Sequence, residues 1–309
     1  MQVLVSEVGP RDGLQSIKTT MPTAAKLRWI RALAAAGLKE IEVASFVPAK
    51  LLPQMADAAE VVAEATKIPD VTVLALAPNL KGAQNAIAAG AHKVTLPVSA
   101  SHAHSLANIR MSCDDAIEQV ARICEFRDSL PAERRPKVEV GLSTAFGCTL
   151  QGDVDEGWVF EMARRIAANG ADSVGLSDTV GYANPAQVRR MFVRLIAELG
   201  GKAGGAHLHN TRGQGLANVV AALDAGVTTF DASQGGIGGC PYAPGASGNI
   251  VTEDLVFLLE SMGLDTGIDI DKLMQARKAL AEGLPGEPIY GHVADAGVPR
   301  NFRRAKENA

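Results

Sequence analysis

Short apolar runs alternate with longer amphipathic stretches along most of this chain. The short runs predict strands over 3–8, 40–44, 71–77, 93–98, 137–144, 173–176, 205–209 and 228–231. Apolar residues spaced three and four apart predict helices over 23–36, 55–66, 81–89, 114–127, 155–169, 185–199 and 215–225. The segment 99–112 reads as a long polar loop. Beyond the eighth strand come a glycine-rich loop and helices over 252–262 and 270–282, and the last residues, 303–309, read as frayed. Several helices stop at a glycine: Ala36-Gly37, Ala89-Gly90, Asn169-Gly170 and Ala225-Gly226. Glycine adopts the left-handed conformation that closes a helix without steric cost, so the repeat of this stop supports the alternation.

Eight strands, each followed by a helix, are the count that a closed (β/α)₈ TIM barrel needs. The expected organisation is one catalytic barrel domain over 1–309, with a C-terminal helical extension from about 270. An open doubly wound sheet is the rival, but no GxGxxG follows the first strand to support it. Hydrophobic residues make up 47% of the 309 residues and aromatics only 4%, so the core must be aliphatic. That mix suits parallel strands covered on both faces.

A formal net charge of −4 gives no electrostatic reason to expect nucleic acid as a partner. No segment is long and apolar enough to span a bilayer, so no membrane association is expected. The strand-like run begins at Gln2, which leaves no room for a signal peptide and predicts a cytoplasmic protein. Cys113, Cys124, Cys148 and Cys240 are scattered, with no CxxC pair, and read as reduced thiols. A homodimer is compatible with such a barrel, though no sequence feature compels one.

In this architecture functional groups sit at the C-terminal ends of the strands. Gly9-Pro10-Arg11-Asp12-Gly13-Leu14-Gln15 follows strand one and offers a fixed cation beside a hard carboxylate; a surface ion pair in a turn is the plainer alternative. His207 and His209 end strand seven. Residues two apart on a strand point the same way, so both imidazoles can grip one divalent ion. Glu42 ends strand two among apolar neighbours and needs a cation partner, for which Arg11 is the candidate. Asp178 and Thr179 end strand six, where they either contact the same centre or cap the next turn. Gln15, Ser45, Asp178 and Thr179 join Arg11 as candidate substrate-binding residues. The run from Gly235 to Asn249 holds six glycines and Cys240, placed as a thiol on a segment that closes over substrate. Asp12, His207 and His209, with Asn249 as a fourth candidate, give mixed oxygen and nitrogen ligation. That set suits Mg²⁺ or Mn²⁺ better than Zn²⁺.

These residues together resemble the hydroxymethylglutaryl-CoA lyase family. The resemblance is carried by Gly9 to Gln15, by Ala44-Ser45-Phe46-Val47-Pro48 with Pro53-Gln54-Met55, by the His207/His209 pair, and by Gly238-Gly239-Cys240-Pro241-Tyr242-Ala243 with Gly245-Ala246-Ser247-Gly248-Asn249. It implies a metal-dependent retro-aldol cleavage of a 3-hydroxy-3-methyl dicarboxylic acyl-CoA to acetyl-CoA and acetoacetate. By that analogy Asp12, His207, His209 and Asn249 hold the metal. Arg11 stabilises the enolate oxygen, Glu42 holds Arg11, Asp12 or His207 takes the hydroxyl proton, and Cys240 takes part in proton transfer.

The chain departs from the family pattern at three places. Gly147-Cys148-Thr149-Leu150-Gln151-Gly152 stands where the family has Gly-Cys-Pro-Tyr-Glu-Gly, Asn210-Thr211 where it has Asp-Thr, and Gly175 where a small hydroxyl residue is usual. These differences leave room for another 3-hydroxyacyl-CoA, such as citramalyl-CoA. A Claisen-condensing acyl-CoA synthase is the next alternative, and a non-enzymatic metal-binding barrel ranks last.

Overall fold

The computed structural model describes residues 1–238 and 248–307. Eight parallel strands close into a barrel in chain order: β1 (Leu4–Glu7), β2 (Glu40–Ser45), β3 (Thr72–Leu76), β4 (Lys93–Ser99), β5 (Lys137–Ser143), β6 (Ser173–Asp178), β7 (Ala203–Leu208) and β8 (Thr229–Ala232). Pairing of β1 with both β2 and β8 completes the ring. Around it lie α1 (Thr23–Ala35), α2 (Ala58–Ala65), α3 (Leu80–Ala88), α4 (His102–Ile109), α5 (Cys113–Asp128), α6 (Glu156–Ala168), α7 (Pro185–Leu199) and α8 (Gly215–Asp224), followed by α9 (Thr252–Ser261), α10 (Ile270–Gly283) and α11 (His292–Ala296).

The core lies between barrel and helices. Ile41, Val43, Val73, Val94, Val138, Val174, Leu176 and Phe230 are buried there with Trp29, Phe160 and Phe192 from the helices. The other face of the same strands is largely polar. Glu40 and Glu42, Lys93 and Thr95, Glu139 and Ser143, Ser173 and Ser177, His207 and Asp231 all line the lumen. Strand alternation thus sends aliphatic side chains outward under the helices and polar ones inward. Composition alone suggests apolar residues on both faces; the inner face is the exception.

Three expectations are corrected. The 99–112 segment is not a plain loop: it contains α4, started by the Ser101 hydroxyl, which accepts from the His104 amide. The segment lacks a broad apolar stripe, and only this local cap supports a helix. Residues 303–307 are not frayed: the Ala305 amide donates to Glu260 Oε2 at 2.6 Å, and Arg304 pairs with Asp269. The extension also contains α11, whose five residues are too few to show a period. Further up the chain, α10 packs along α1, and Gly283 lets Met21 approach, since a Cβ there would lie 2.8 Å from Met21 Cε.

Candidate active site

The chain leaves β1 through a tight turn, Gly9–Gly13. The amides of Arg11, Asp12 and Gly13 all turn back on the Val8 carbonyl, at 3.1, 2.7 and 3.5 Å. This winding projects Arg11 and Asp12 over the barrel mouth. Arg11 Nε donates to Glu42 Oε2 at 2.6 Å, Nη2 also meets Glu42, and Nη1 donates to Asp12 Oδ1 at 2.7 Å. Thr95 Oγ1 donates to the other Glu42 oxygen. Burial disfavours the guanidinium charge, but Glu42 and Asp12 outweigh it and keep Arg11 protonated. The same cation overcomes the burial of Asp12 and holds its carboxyl down at about 2.

His207 and His209 come from the end of β7, with their Nε2 atoms 3.1 Å apart. His207 Nδ1 lies 3.0 Å from Asp231 Oδ2 on the neighbouring strand, where the two residues are in register. Burial works against the imidazolium of His207, yet the hydrogen bond and charge of Asp231 raise its pKa above the ordinary value. His209 has no such partner: burial, then the nearby His207, drive it down to about 3, so it stays neutral. Asn249 Nδ2 donates to Asp12 Oδ2 at 2.7 Å.

Asp12, His207 and His209 each present a ligand atom, all within 4.8 Å of one another. Two imidazole nitrogens 3.1 Å apart, which can share a single proton as donor and acceptor, equally suit a shared cation. Asn249 Oδ1 and His209 Nδ1 are also buried with no hydrogen-bond partner among the described residues. Carboxylates outnumber cations along the surrounding wall, where Asp12, Glu40, Glu42, Glu139 and Asp231 face Arg11, Lys93 and Arg110. The donor set therefore fits a hard divalent ion.

A cavity of about 1120 Å³ joins these groups. Gln15 lines it, and its Nε2 reaches Asp12 Oδ1 at 3.3 Å. Thr179 lines it too, with its hydroxyl accepting from the Thr144 amide at 2.8 Å. Ser45 and Asp178 are not on the cavity wall. Ser45 is fully buried, and the Asp178 carboxylate accepts from the amides of Tyr182 and Ala183 at 2.8 and 3.1 Å, which makes it a turn cap. Burial pushes Asp178 up to about 6 despite those two amides. Cys240 lies outside the described residues. The loop that carries it is rooted at the site, because the Asn249 amide donates to the Gly238 carbonyl at 2.9 Å. Gly13 allows that root to close in: a Cβ there would lie 2.5 Å from Ile237 Cγ1.

The HMGL-like family model matches residues 2–280. The chain belongs to the HMGL-like family. It is 40% identical to the mitochondrial hydroxymethylglutaryl-CoA lyase of Gallus gallus, over 92% of this chain and 94% of that one. It is likewise 40% identical to the cytoplasmic 3-hydroxy-3-methylglutaryl-CoA lyase of Rattus norvegicus, over 89% of this chain and 79% of the other. These two names come from different compartments. An HMG-CoA lyase structure from Acinetobacter baumannii, in complex with coenzyme A and 3-methylmalate, superposes with a TM-score of 0.91. It is 39% identical, and the match covers 98% of this chain and 97% of that one. As a member of the HMGL-like family the protein is a carbon–carbon lyase. Among the described residues no helix is long and apolar enough to cross a membrane.

Two residues of this HMGL-like site escape sequence reasoning. Asp231 is an ordinary strand-end carboxylate until register sets it beside His207. Glu7 is an acid inside the apolar run of β1, and that misfit is its only signal. It is fully buried: Oε1 accepts from the amides of Gly9 and Gln234 at 2.8 and 2.9 Å, and Oε2 accepts from Thr252 Oγ1 at 2.7 Å. Glu7 thereby ties the Arg11 turn to the root of the glycine loop. The departure at Gly175 has a backbone cause. A Cβ there would sit 2.5 Å from the Gly205 carbonyl oxygen, so the strands leave no space for a hydroxyl side chain.

Proposed function

We propose that the protein cleaves 3-hydroxy-3-methylglutaryl-CoA to acetyl-CoA and acetoacetate. The observation that carries this reading is the Asp12, His207 and His209 cluster standing beside the Arg11–Glu42 pair in one cavity. Asp12, His207, His209 and Asn249 would hold Mg²⁺ or Mn²⁺. When bound, the ion lowers the proton affinity of the substrate hydroxyl and attracts its oxygens.

The protein's own groups do the rest. The hydroxyl proton goes to His207 or Asp12. Asp231 lies 3.0 Å from His207 Nδ1 and orients that ring, and Arg11 holds Asp12 at about 2. As the C2–C3 bond breaks, its electrons move onto the thioester oxygen. The Arg11 guanidinium is fixed by Glu42, cannot deprotonate, and meets that developing charge. Its bidentate hold means little reorganisation at the moment of reaction. Cys240, on the loop rooted at Gly238 and Asn249, is the proton-transfer thiol in this reading, and the loop excludes water from the enolate.

The test is release of acetyl-CoA from the thioester, followed with and without chelator. Cleavage should vanish with chelator and return with Mg²⁺ or Mn²⁺. Undiminished activity in metal-free buffer would refute the metal role, and release of CoA only with acetyl-CoA plus a 2-oxo acid would point to a synthase.

A further inference from the structure

The root of the glycine loop leaves β8 through Ser233 and Gln234 and turns at Gly235 and Gly236. Their φ angles, 69° and 62°, lie in the left-handed region. A turn this short has few hydrogen bonds of its own, so its shape depends on groups that grip it from outside.

The grip comes from distant parts of the chain. Two buried carboxylates take consecutive amides: Glu7 Oε1 accepts from Gln234 at 2.9 Å, and Glu253 Oε2 accepts from Gly235 at 3.1 Å. The Gly235 carbonyl accepts from the Tyr290 amide at 2.7 Å. Arg277 on α10 closes the ring, because its Nη1 donates to Glu253 Oε1 and to the Tyr290 carbonyl, each at 2.8 Å. The tail beyond Tyr290 is anchored as well, since Asp254 accepts from the His292 and Val293 amides at 3.0 and 2.8 Å. Gln234 is pinned between α1 and α10: it accepts from Trp29 Nε1 at 2.7 Å and donates to the Leu273 carbonyl at 2.8 Å.

The Glu253 side chain is fully buried and that of Arg277 is 14% exposed. A buried pair of this kind adds little net stability, because the cost of desolvating both charges offsets their attraction. What it supplies here is a fixed direction for Gly235. Three residues on, the Gly238 carbonyl accepts from the Asn249 amide, and Asn249 Nδ2 donates to Asp12 Oδ2 at 2.7 Å. A shift at Gly235 is therefore carried over a very short stretch of chain to the metal-ligand cluster.

We propose that Arg277 is a positioning residue for the site: through Glu253 and the Tyr290 carbonyl it fixes both backbone groups of Gly235, and so the place of Asn249 beside Asp12. The C-terminal extension is then a working part of the site. The effect on turnover rests on the lyase reading; the effect on metal binding rests only on the ligand cluster.

The experiment compares the parent with Arg277→Met, which keeps an unbranched stem and removes the donors. In metal-free protein the Gly235 and Asn249 amides should exchange hydrogen about tenfold faster or more. The dissociation constant for Mn²⁺, read from the free-ion electron paramagnetic signal, should rise about fivefold or more. At saturating Mn²⁺, kcat for 3-hydroxy-3-methylglutaryl-CoA should fall about tenfold or more with KM within about threefold, because Arg277 itself touches no substrate. Arg277→Lys should recover most of each loss, since one ammonium still meets both Glu253 and the carbonyl. Arg304→Ala is the control for general loosening: it breaks the contact to Asp269 at the start of α10 and should leave these values near the parent's.

If Arg277→Met folds with Mn²⁺ affinity and kcat both within twofold of the parent, or if Arg304→Ala loses as much, the proposal is overturned. Where Arg277→Met does not fold, adding Glu253→Gln removes the charge it strands, and the double variant is held to the same limits. A parent that binds Mn²⁺ but does not cleave the thioester refutes the lyase reading alone, and the exchange rates and Mn²⁺ affinities then decide the role of Arg277.

Discussion

The contact between Asp231 and His207 offers the sharpest check on this site. Asp231→Asn keeps the shape of the side chain and removes its charge. Two unit charges about 4 Å apart interact by about 4 kcal/mol at the effective dielectric of a protein surface. Asp231 is 33% exposed and His207 is 16% exposed at the side chain, so solvent screening reduces that figure. A residual 1–2 kcal/mol corresponds to about five- to thirtyfold in an equilibrium. Groups that orient a metal-bound histidine typically change metal affinity by about ten- to a hundredfold when removed, which brackets the same range.

Two effects are expected. The dissociation constant for Mn²⁺, read from the free-ion electron paramagnetic signal, should rise about tenfold. The acid limb of the kcat/KM profile should move to lower pH. The sign follows from His207 acting in its neutral form: Asp231 raises its pKa, so loss of that charge lets the imidazole deprotonate at lower pH. Mn²⁺ affinity within twofold of the parent, together with an unmoved acid limb, would refute the role given to Asp231.

Other outcomes follow from the same geometry. Arg11→Lys should lower kcat by about a hundredfold or more with little change in melting temperature, because one ammonium cannot reproduce the bidentate hold on Glu42 and the contact to Asp12; a near-normal rate would remove Arg11 from the mechanism. Burial pushes the Glu7 carboxyl from 4.5 up to about 8, against its three hydrogen bonds. The folded protein therefore holds a proton that the unfolded chain has released, and stability should fall as pH rises from about 4.5 to about 8, by up to about 5 kcal/mol. Glu7→Gln stays neutral, so its thermal stability should depend less on pH across that window, and identical pH profiles for the two proteins would contradict this account.

Sequence pattern alone reaches the barrel, because a period of two in the strands and of three to four in the helices is local information. The glycine stops and the His-x-His spacing are equally local, and strand alternation is enough to set both imidazoles on one face. Resemblance in short motifs adds Arg11, Asp12, Glu42 and Asn249 as a group. Placement across strands is a different matter. Ser45 and Asp178 sit at strand ends like their neighbours, yet one is sealed in the wall and the other spends its carboxylate on two backbone amides. Asp231 becomes a partner of His207 only through the β7–β8 register.

The residues themselves determined which elements form and which side chains carry charge, since both depend on neighbours a few positions away. Closure of the barrel decided which charges meet and how deeply Glu7 is buried. Those outcomes depend on contacts between segments up to 245 positions apart, such as Glu7 and Thr252. No local pattern encodes a distance of that kind.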